Sequence, residues 1–189
     1  MTNKKKNGDK KMKKIEIVVK KNEITVIGNR YLYGNNTKTQ TKGDFLEAYI
    51  RRELNPTDNE WYVKNSDAYN VASDIEALTG EKISVKSGEF SLTEALWSTE
   101  YNETEKQKII TEYANTVHSD HVAYAWLTDK NDNEYIITAI IVSMNTFIEF
   151  LKYNSVMTLI DTKSKRYKVK VKKSTSTVIK ELTRIDIGG

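Results

Sequence analysis

The chain contains no cysteine. Disulfides, a thiol nucleophile and cysteine-ligated zinc are therefore excluded, and the composition fits a reducing cytoplasm. Only two histidines are present, His118 and His121, and Asp120 lies between them. A zinc site needs three or four ligands on defined elements, and no further histidine or cysteine completes one. We expect a cap or surface role for this pair and no bound metal.

Long hydrophobic runs are also absent. The longest, at 136–144, is interrupted by Thr138 and Ser143 and is far shorter than the roughly 20 residues of a membrane span. A secretory signal requires an apolar segment after its basic residues, and no such segment follows the lysine-rich N-terminus. The sequence therefore predicts a cytoplasmic protein with no membrane segment.

Glycine-based motifs are missing too. The eight glycines form neither GxGxxG nor GxxxxGK[ST], so no loop that cradles phosphate groups is indicated. GxSxG and HExxH are absent, which removes the usual signals of a serine hydrolase and of a zinc protease. We expect no cofactor, and no motif makes a strong case for an enzyme.

Charge is present in quantity and is unevenly distributed. Residues 1–42 carry 12 Lys/Arg and 3 Asp/Glu, residues 43–150 carry 8 and 20, and residues 151–189 carry 10 and 3. The net charges are +9, −12 and +7, which sum to the overall +4. Two basic ends around an acidic middle predict two electrostatically distinct surfaces, unless folding interleaves them.

Residue periodicity predicts the secondary structure. Alternating apolar residues indicate strands at 14–20 and 23–27, joined by a hairpin turn at Lys21-Asn22. Helical spacing indicates helices at 44–54 and 66–80, and capping boxes are recognised at Ser91 with Glu94 and at Asn102 with Glu105. Further strands are expected at 82–86, 121–128, 134–142, 156–161 and 166–172, and a helix at 143–154. The segment 178–187 is ambiguous between helix and strand.

These elements predict an α+β fold. We expect an antiparallel sheet built from N- and C-terminal hairpins, packed with a middle block of three to four helices. Residues 1–13 are predicted to be a disordered basic tail. Residues 14–189 are predicted to form a single α+β domain whose acidic helical middle spans about 43–118.

The stretch WLTDKNDNEYII, at 126–137, has the alternating Asp and Asn of a calcium loop. Counting from Asp129, the sixth position of an EF-hand loop falls on Glu134 and the twelfth on Ile140, where the motif needs Gly and Glu. Asp and Asn between two apolar strands are typical of a hairpin turn. We therefore expect a turn.

One short segment suggests catalysis. VMTLID followed by Thr162 and Lys163 is an apolar strand that ends in Asp-x-Lys. It resembles the corresponding element of PD-(D/E)xK nucleases, and the resemblance implies that Asp161 binds a metal while Lys163 helps to activate water. The Pro-Asp pair that this family carries on the preceding strand is absent, and Asp161 serves equally well as a turn residue.

Two basic segments suggest binding to nucleic acid or another polyanion. In RYKVKVKK the alternation places Tyr167, Val169 and Val171 on one face of a strand and a cationic row on the other. The row is about 20 Å long and matches roughly six phosphates of one nucleic-acid strand. It consists of Arg166, Lys168, Lys170 and Lys172. A solvated edge strand protected by lysines is the alternative.

The second basic segment is the polar stretch after residue 27, which has no acidic residue between Glu23 and Asp44. Exposed aromatic rings among cations stack on bases while the cations hold the backbone. The candidate residues are Arg30, Tyr31, Tyr33, Lys38 and Lys42. In the alternative interpretation, Tyr31 and Leu32 belong to the core.

The sequence as a whole favours a small non-enzymatic protein that binds nucleic acid or a nucleoprotein complex. The preference for Lys over Arg and the many Asn, Ile, Thr and Tyr residues are typical of an AT-rich genome. This composition and the split charge suit a phage or mobile-element factor that inhibits a bacterial defence nuclease, in the manner of anti-CRISPR proteins. In the converse interpretation, the acidic middle competes with nucleic acid for a basic groove on another protein. A metal-dependent nuclease and a structural or assembly subunit remain alternatives. The partner and the oligomeric state stay open.

Overall fold

The computed structural model describes residues 12–33, 40–54, 75–77, 80–92 and 96–188. Four helices lie in these ranges: α1 (Lys42–Leu54), α2 (Glu103–Thr116), α3 (Met144–Asn154) and α4 (Thr175–Gly188). The strands are β1 (Lys13–Lys20), β2 (Ile24–Ile27), β3 (Arg30–Tyr33), β4 (Gln40–Thr41), β5 (Ile75–Glu76), β6 (Lys82–Ser87), β7 (Phe90–Ser91), β8 (His121–Asn131), β9 (Glu134–Ser143), β10 (Val156–Asp161) and β11 (Arg166–Val171). No helix in these ranges is both long enough and apolar enough to span a membrane.

A five-stranded sheet in the order β1-β9-β8-β6-β5 forms the centre of the molecule. The pair β6/β8 is parallel, and the other three pairs are antiparallel. One face of this sheet packs on α1, and small residues there, Ala123, Ala125 and Ala139, leave room for Phe45. The other face presents Tyr124 and larger aliphatic side chains to a second cluster. The sheet is therefore buried on both faces at β8 and β9.

The burial of both faces explains the composition of β9. Ile137 to Val142 are all buried, because odd positions of the strand contact the α1 side and even positions contact the other side. A strand covered on both faces reads as a continuous apolar run rather than an alternation. The pair β8/β9 is the hairpin that the sequence predicts, with its turn at Asp132-Asn133. The turn prediction for 126–137 is thus confirmed.

Side-chain caps define the starts of two helices. The amide of Glu105 donates to Asn102 Oδ1 at 2.8 Å at the start of α2, as the predicted capping box requires. The Glu105 carboxylate accepts from the Ser98 hydroxyl at 2.7 Å. Ser143 caps α3, which confirms the helix expected at 143–154. The helix predicted at 44–54 is likewise confirmed by α1.

Two smaller sheets flank the centre. β2, β3 and β4 form an antiparallel sheet near α1. β10, β11 and β7 form the other, in that order, so β11 is its central strand. Ser98 adds an isolated antiparallel bridge to Tyr167. The hairpin predicted at 156–172 is confirmed by β10 and β11.

The predicted arrangement of the fold is wrong. Helices and strands both occur, but β1 pairs with β9 in the central sheet, and β10 and β11 belong to a different sheet. The described part of 43–118 contains only α1 and α2, with β5, β6 and β7 between them, instead of a block of three to four helices. The structure is a mixed α/β assembly of three sheets, one of which contains a parallel pair. An alternation of apolar and polar residues specifies which face of a strand is buried but not which strand it pairs with. The partners β1 and β9 are distant in sequence.

Three local predictions are also wrong. Lys21–Glu23 is a 3-10 turn that leads from β1 into another sheet, and the Lys21 amide donates to the carbonyl of Asn133 at 2.8 Å. Ile75 lies in β5 and not in a helix, while 66–74, 78 and 79 of the expected 66–80 helix lie outside the described residues. Ser91 belongs to β7 instead of capping a helix, and its expected partner Glu94 lies outside the described residues. The ambiguous segment 178–187 is helical, in α4.

Candidate nucleic-acid interface

The two aromatic residues of the first candidate segment differ in burial. The Tyr31 ring is half-buried and stacks on Phe45 with centroids 4.6 Å apart, and Tyr33 is 1% exposed. Burial raises the pKa of Tyr31. Arg30 and Lys42 are exposed, whereas Lys38 lies outside the described residues. Both rings pack toward α1, because β3 pairs on both sides in its sheet, and a role of this segment in binding stays a prediction.

The cationic row on β11 is only partly exposed. Val169 and Val171 are buried, as the alternation predicts. Lys168 is also buried, with 7% of its surface exposed, and Lys170 is half-buried. The reason is that β11 is flanked by β10 and β7, so that the row lies at the centre of a sheet and not on its edge. Lys172, after the end of the strand, is exposed.

Arg166, the first member of the row, belongs to a local network at the β10–β11 turn. Its Nε donates to Ser164 Oγ at 2.9 Å and its Nη2 to Asp161 Oδ2 at 3.1 Å. The guanidinium also lies over the Trp97 ring, 5.3 Å from the centroid. Arg166 is thus oriented by its neighbours and does not form a continuous cationic row with Lys168.

Asp161 organises the same turn. It accepts hydrogen bonds from the amides of Lys163 at 2.9 Å and Ser164 at 3.4 Å, as well as from the Ser164 hydroxyl. The Ser164 hydroxyl and the Arg166 guanidinium hold the pKa of the Asp161 carboxyl well below its usual range. Both carboxylate oxygens therefore serve the turn, in the way expected of an Asx turn.

The described residues contain no group of three or more side chains that could hold a metal ion. His121 Nε2 lies 3.6 Å from a Glu81 carboxylate oxygen, and His118 is exposed. Asp129 of the calcium-like stretch forms an ion pair with Lys21, and Asn131 Oδ1 accepts the amide of Asn133 at 2.8 Å. These side chains stabilise turns and strand ends.

The residue before β1 contacts α4. The amide of Met12 donates to Asp186 Oδ2 at 3.0 Å, and the Thr183 hydroxyl lies 3.8 Å from the Met12 sulfur. Met12 also packs against the hydrophobic cluster that includes Val178 and Leu182. The start of β1 is therefore held against this helix, whereas residues 1–11 of the predicted basic tail lie outside the described residues.

The solvent side of α4 is itself cationic. Lys180 and Arg184 are exposed, and their spacing of four residues places them on one side of the helix. Arg184 Nη2 lies 2.9 Å from a Glu181 carboxylate oxygen, one turn away. Lys172 and Lys173 are exposed in the segment between β11 and α4, and Lys13 and Lys14 are exposed next to Met12. We call the exposed cations Lys13, Lys14, Lys172, Lys173, Lys180 and Arg184 the α4–tail surface. Sequence periodicity alone did not reveal it, because 178–187 was not assigned to a helix.

The charge of this surface is strongly positive. Its six cations are accompanied by two acidic residues of α4, Glu181 and Asp186. These counts give a net charge of +4, that is, six positive and two negative groups. The sequence-based charge analysis predicted basic ends, and the contacts of Met12 hold the start of β1 against α4.

Exposed aromatic side chains near β11 were not recognised from the sequence. Trp97 is 45% exposed and Tyr101 is 68% exposed, and the Tyr101 ring lies 5.3 Å from that of Tyr167. Tyr101 directly precedes Asn102, the N-cap of α2. Apolar residues are common at this position before a helix, so Tyr101 is only a weak sequence signal of an exposed aromatic site.

Comparison with known proteins places the chain in no group: no family model, no curated protein and no solved structure matches it. The candidate interface is therefore judged on its own geometry and charge.

Proposed function

We propose that this protein binds nucleic acid, free or within a nucleoprotein complex, through the α4–tail surface. The observation that supports this proposal is the contact of Met12 with Thr183 and Asp186, which holds the start of β1, with the exposed Lys13 and Lys14, against a helix with the exposed Lys180 and Arg184. Inhibition of a bacterial defence nuclease by a phage or mobile-element protein is one function of this kind.

The geometry of α4 suits a phosphate backbone. Lys180 and Arg184 are four residues apart on α4, about 6 Å along a helix at 1.5 Å per residue. One strand of nucleic acid carries a phosphate about every 3.4 Å along the duplex axis. These two side chains therefore reach phosphates about two apart, while Lys172 and Lys173 add cations just before the helix. Such contacts give affinity and little sequence specificity.

Salt dependence tests the proposal, because lysines that contact phosphates release condensed counterions. Binding of a fluorescein-labelled duplex is measured by anisotropy over a series of salt concentrations. Replacing Lys173 and Lys180 by Gln should reduce the log–log slope by nearly two, at about 0.9 for each phosphate contact on duplex DNA. Both side chains are exposed, so thermal stability should not change.

The matched control replaces Lys108 and Lys130, two exposed lysines on α2 and on the β8 end, by Gln. This control removes the same charge and should leave the slope close to that of the parent. Equal slopes for the parent, the α4 variant and the control would refute the proposed surface. Absence of salt-dependent binding by the parent to both single-stranded and duplex probes would refute nucleic-acid binding itself.

A further inference from the structure

We propose that β10 pairs antiparallel with β10 of a second copy of this chain. Two three-stranded sheets would then form one continuous six-stranded sheet across a two-fold axis. The pairing involves the edge strand of the β10-β11-β7 sheet, and it does not depend on the α4–tail surface.

The first observation is the difference between two sheet edges. β1 is an edge strand of the central sheet, and its exposed positions include Lys13, Lys14, Glu16 and Lys20. Charged residues of this kind protect an edge from pairing with other chains. β10 is the edge of its own sheet and pairs on one side only within the described ranges. Its sequence, VMTLID, has a single charge, on Asp161, which the turn already uses.

The second observation is the exposure of apolar side chains on β10. Val156 is 45% exposed, Leu159 is 43% exposed and Ile160 is 38% exposed. The register of β10 is regular from Val156 to Leu159 and shifts between Leu159 and Asp161. Contiguous exposed apolar residues along an edge without lysine mark an interaction site. Addition of a strand to that edge would satisfy its main-chain groups and cover these side chains together.

The third observation is self-complementarity about Thr158. An axis through this residue places Met157 opposite Leu159 of the second copy, and Val156 opposite Ile160 at the irregular end of the strand. Every apolar residue of β10 then lies opposite another apolar residue.

A cleft beside β10 fits the same register. It has a volume of about 180 Å³ and lies between the start of α2 and the start of β10. Its walls include Tyr101, Lys106, Val156 and Met157. Leu159 of the second copy, opposite Met157 and on the same face, would lie at this cleft and contact the exposed Tyr101 ring.

The charges at the two ends of β10 are also complementary. Lys163 and Lys165 are exposed in the β10–β11 turn. In the antiparallel pair this turn lies beside the last turn of α3 of the other copy, which is the negative end of that helix dipole. The carbonyls of Lys152 and Ser155 there already accept from Lys106 Nζ, each at 3.3 Å. The end of α3 therefore attracts cations, and in the dimer Lys163 and Lys165 of the other copy would add two more.

Sedimentation velocity on the full chain, without nucleic acid, tests the pairing. We expect the dimer fraction to rise over about 1 to 100 μM, the range in which a micromolar dimer dissociates. Leu159→Lys should make the protein monomeric throughout this range. Val18→Lys is the matched control, since Val18 is 50% exposed on the other edge strand, and it should dimerise like the parent. A monomeric parent at every concentration, or a Leu159→Lys variant that dimerises equally, would overturn the proposal.

Cross-linking provides a second readout that does not depend on a destabilising change. The chain has no native cysteine, so Thr158→Cys introduces one thiol. Directly opposed residues of antiparallel strands have Cα atoms about 4.5–5.5 Å apart, within the range of about 4.4–6.8 Å that a disulfide spans. Mild oxidation should convert Thr158→Cys to a covalent dimer and leave Val18→Cys monomeric. Equal cross-linking of the two variants would contradict the proposed axis.

Discussion

Replacement of Lys168 by Ala should destabilise the protein, although the sequence pattern alone places this lysine on a solvent face. Lys168 is 7% exposed at the centre of the β10-β11-β7 sheet. Lysine buries its aliphatic stem while the ammonium group stays near water or a partner. The Ala variant loses three methylenes, and at about 0.8 kcal/mol for each buried methylene the free energy of unfolding should fall by about 2.4 kcal/mol.

Urea and thermal unfolding measure this effect. For a chain of this size, 1 kcal/mol corresponds to about 2–4 °C in Tm, so we expect a decrease of about 5–10 °C. Lys172→Ala is the matched control, because Lys172 belongs to the same predicted row but is exposed. The control should change the free energy of unfolding by no more than about 0.5 kcal/mol.

A Lys168→Met variant separates packing from charge. Met keeps a side chain of similar length without the ammonium group, so it should retain most of the stability that Ala loses if the stem supplies the stabilisation. Equal stability of Lys168→Ala, Lys172→Ala and the parent would refute the reasoning. That result would mean that Lys168 is exposed to solvent and that the predicted cationic row is continuous.

Two further predictions concern local hydrogen bonds. Asn102→Ala should lower the free energy of unfolding by about 1 kcal/mol in urea denaturation, because it removes the side-chain cap of the Glu105 amide. The control Asn115→Ala, at an exposed position of α2, should leave the free energy of unfolding unchanged or raise it slightly. A similar loss in both variants would contradict the capping role. The Asp161 carboxyl has a lowered pKa in the folded state, chiefly through Ser164, so its contribution to stability is present above about pH 3.9 and is lost as the pH falls further. Thermal melts should therefore show a steeper acid-side loss for the parent than for Asp161→Asn, and identical profiles would exclude the effect.

Local sequence signals were sufficient for several elements. The β8–β9 hairpin follows from two long apolar strands around Asp132-Asn133, and α2 follows from its Asn102 cap and helical spacing. The turn at Asp161 was an open alternative to a metal site, and its hydrogen bonds are those of a turn. In each case the deciding interactions lie within a few residues of one another, where backbone preferences and short-range hydrogen bonds dominate.

Tertiary structure alone decided which strands distant in sequence pair and which polar side chains stay exposed. An alternating strand is compatible with any partner that buries its apolar face, so the sequence could not show that β1 pairs with β9, more than 100 residues away. The same alternation assigned Lys168 and Lys172 to one face, yet only the neighbours on both sides of β11 determine that Lys168 is buried. Tyr31 and Tyr33 turn inward for a similar reason, since β3 is a central strand that packs on α1. The meeting of Met12 with Asp186 joins residues 174 positions apart, and such a contact depends on the free energy of the whole fold rather than on any local pattern.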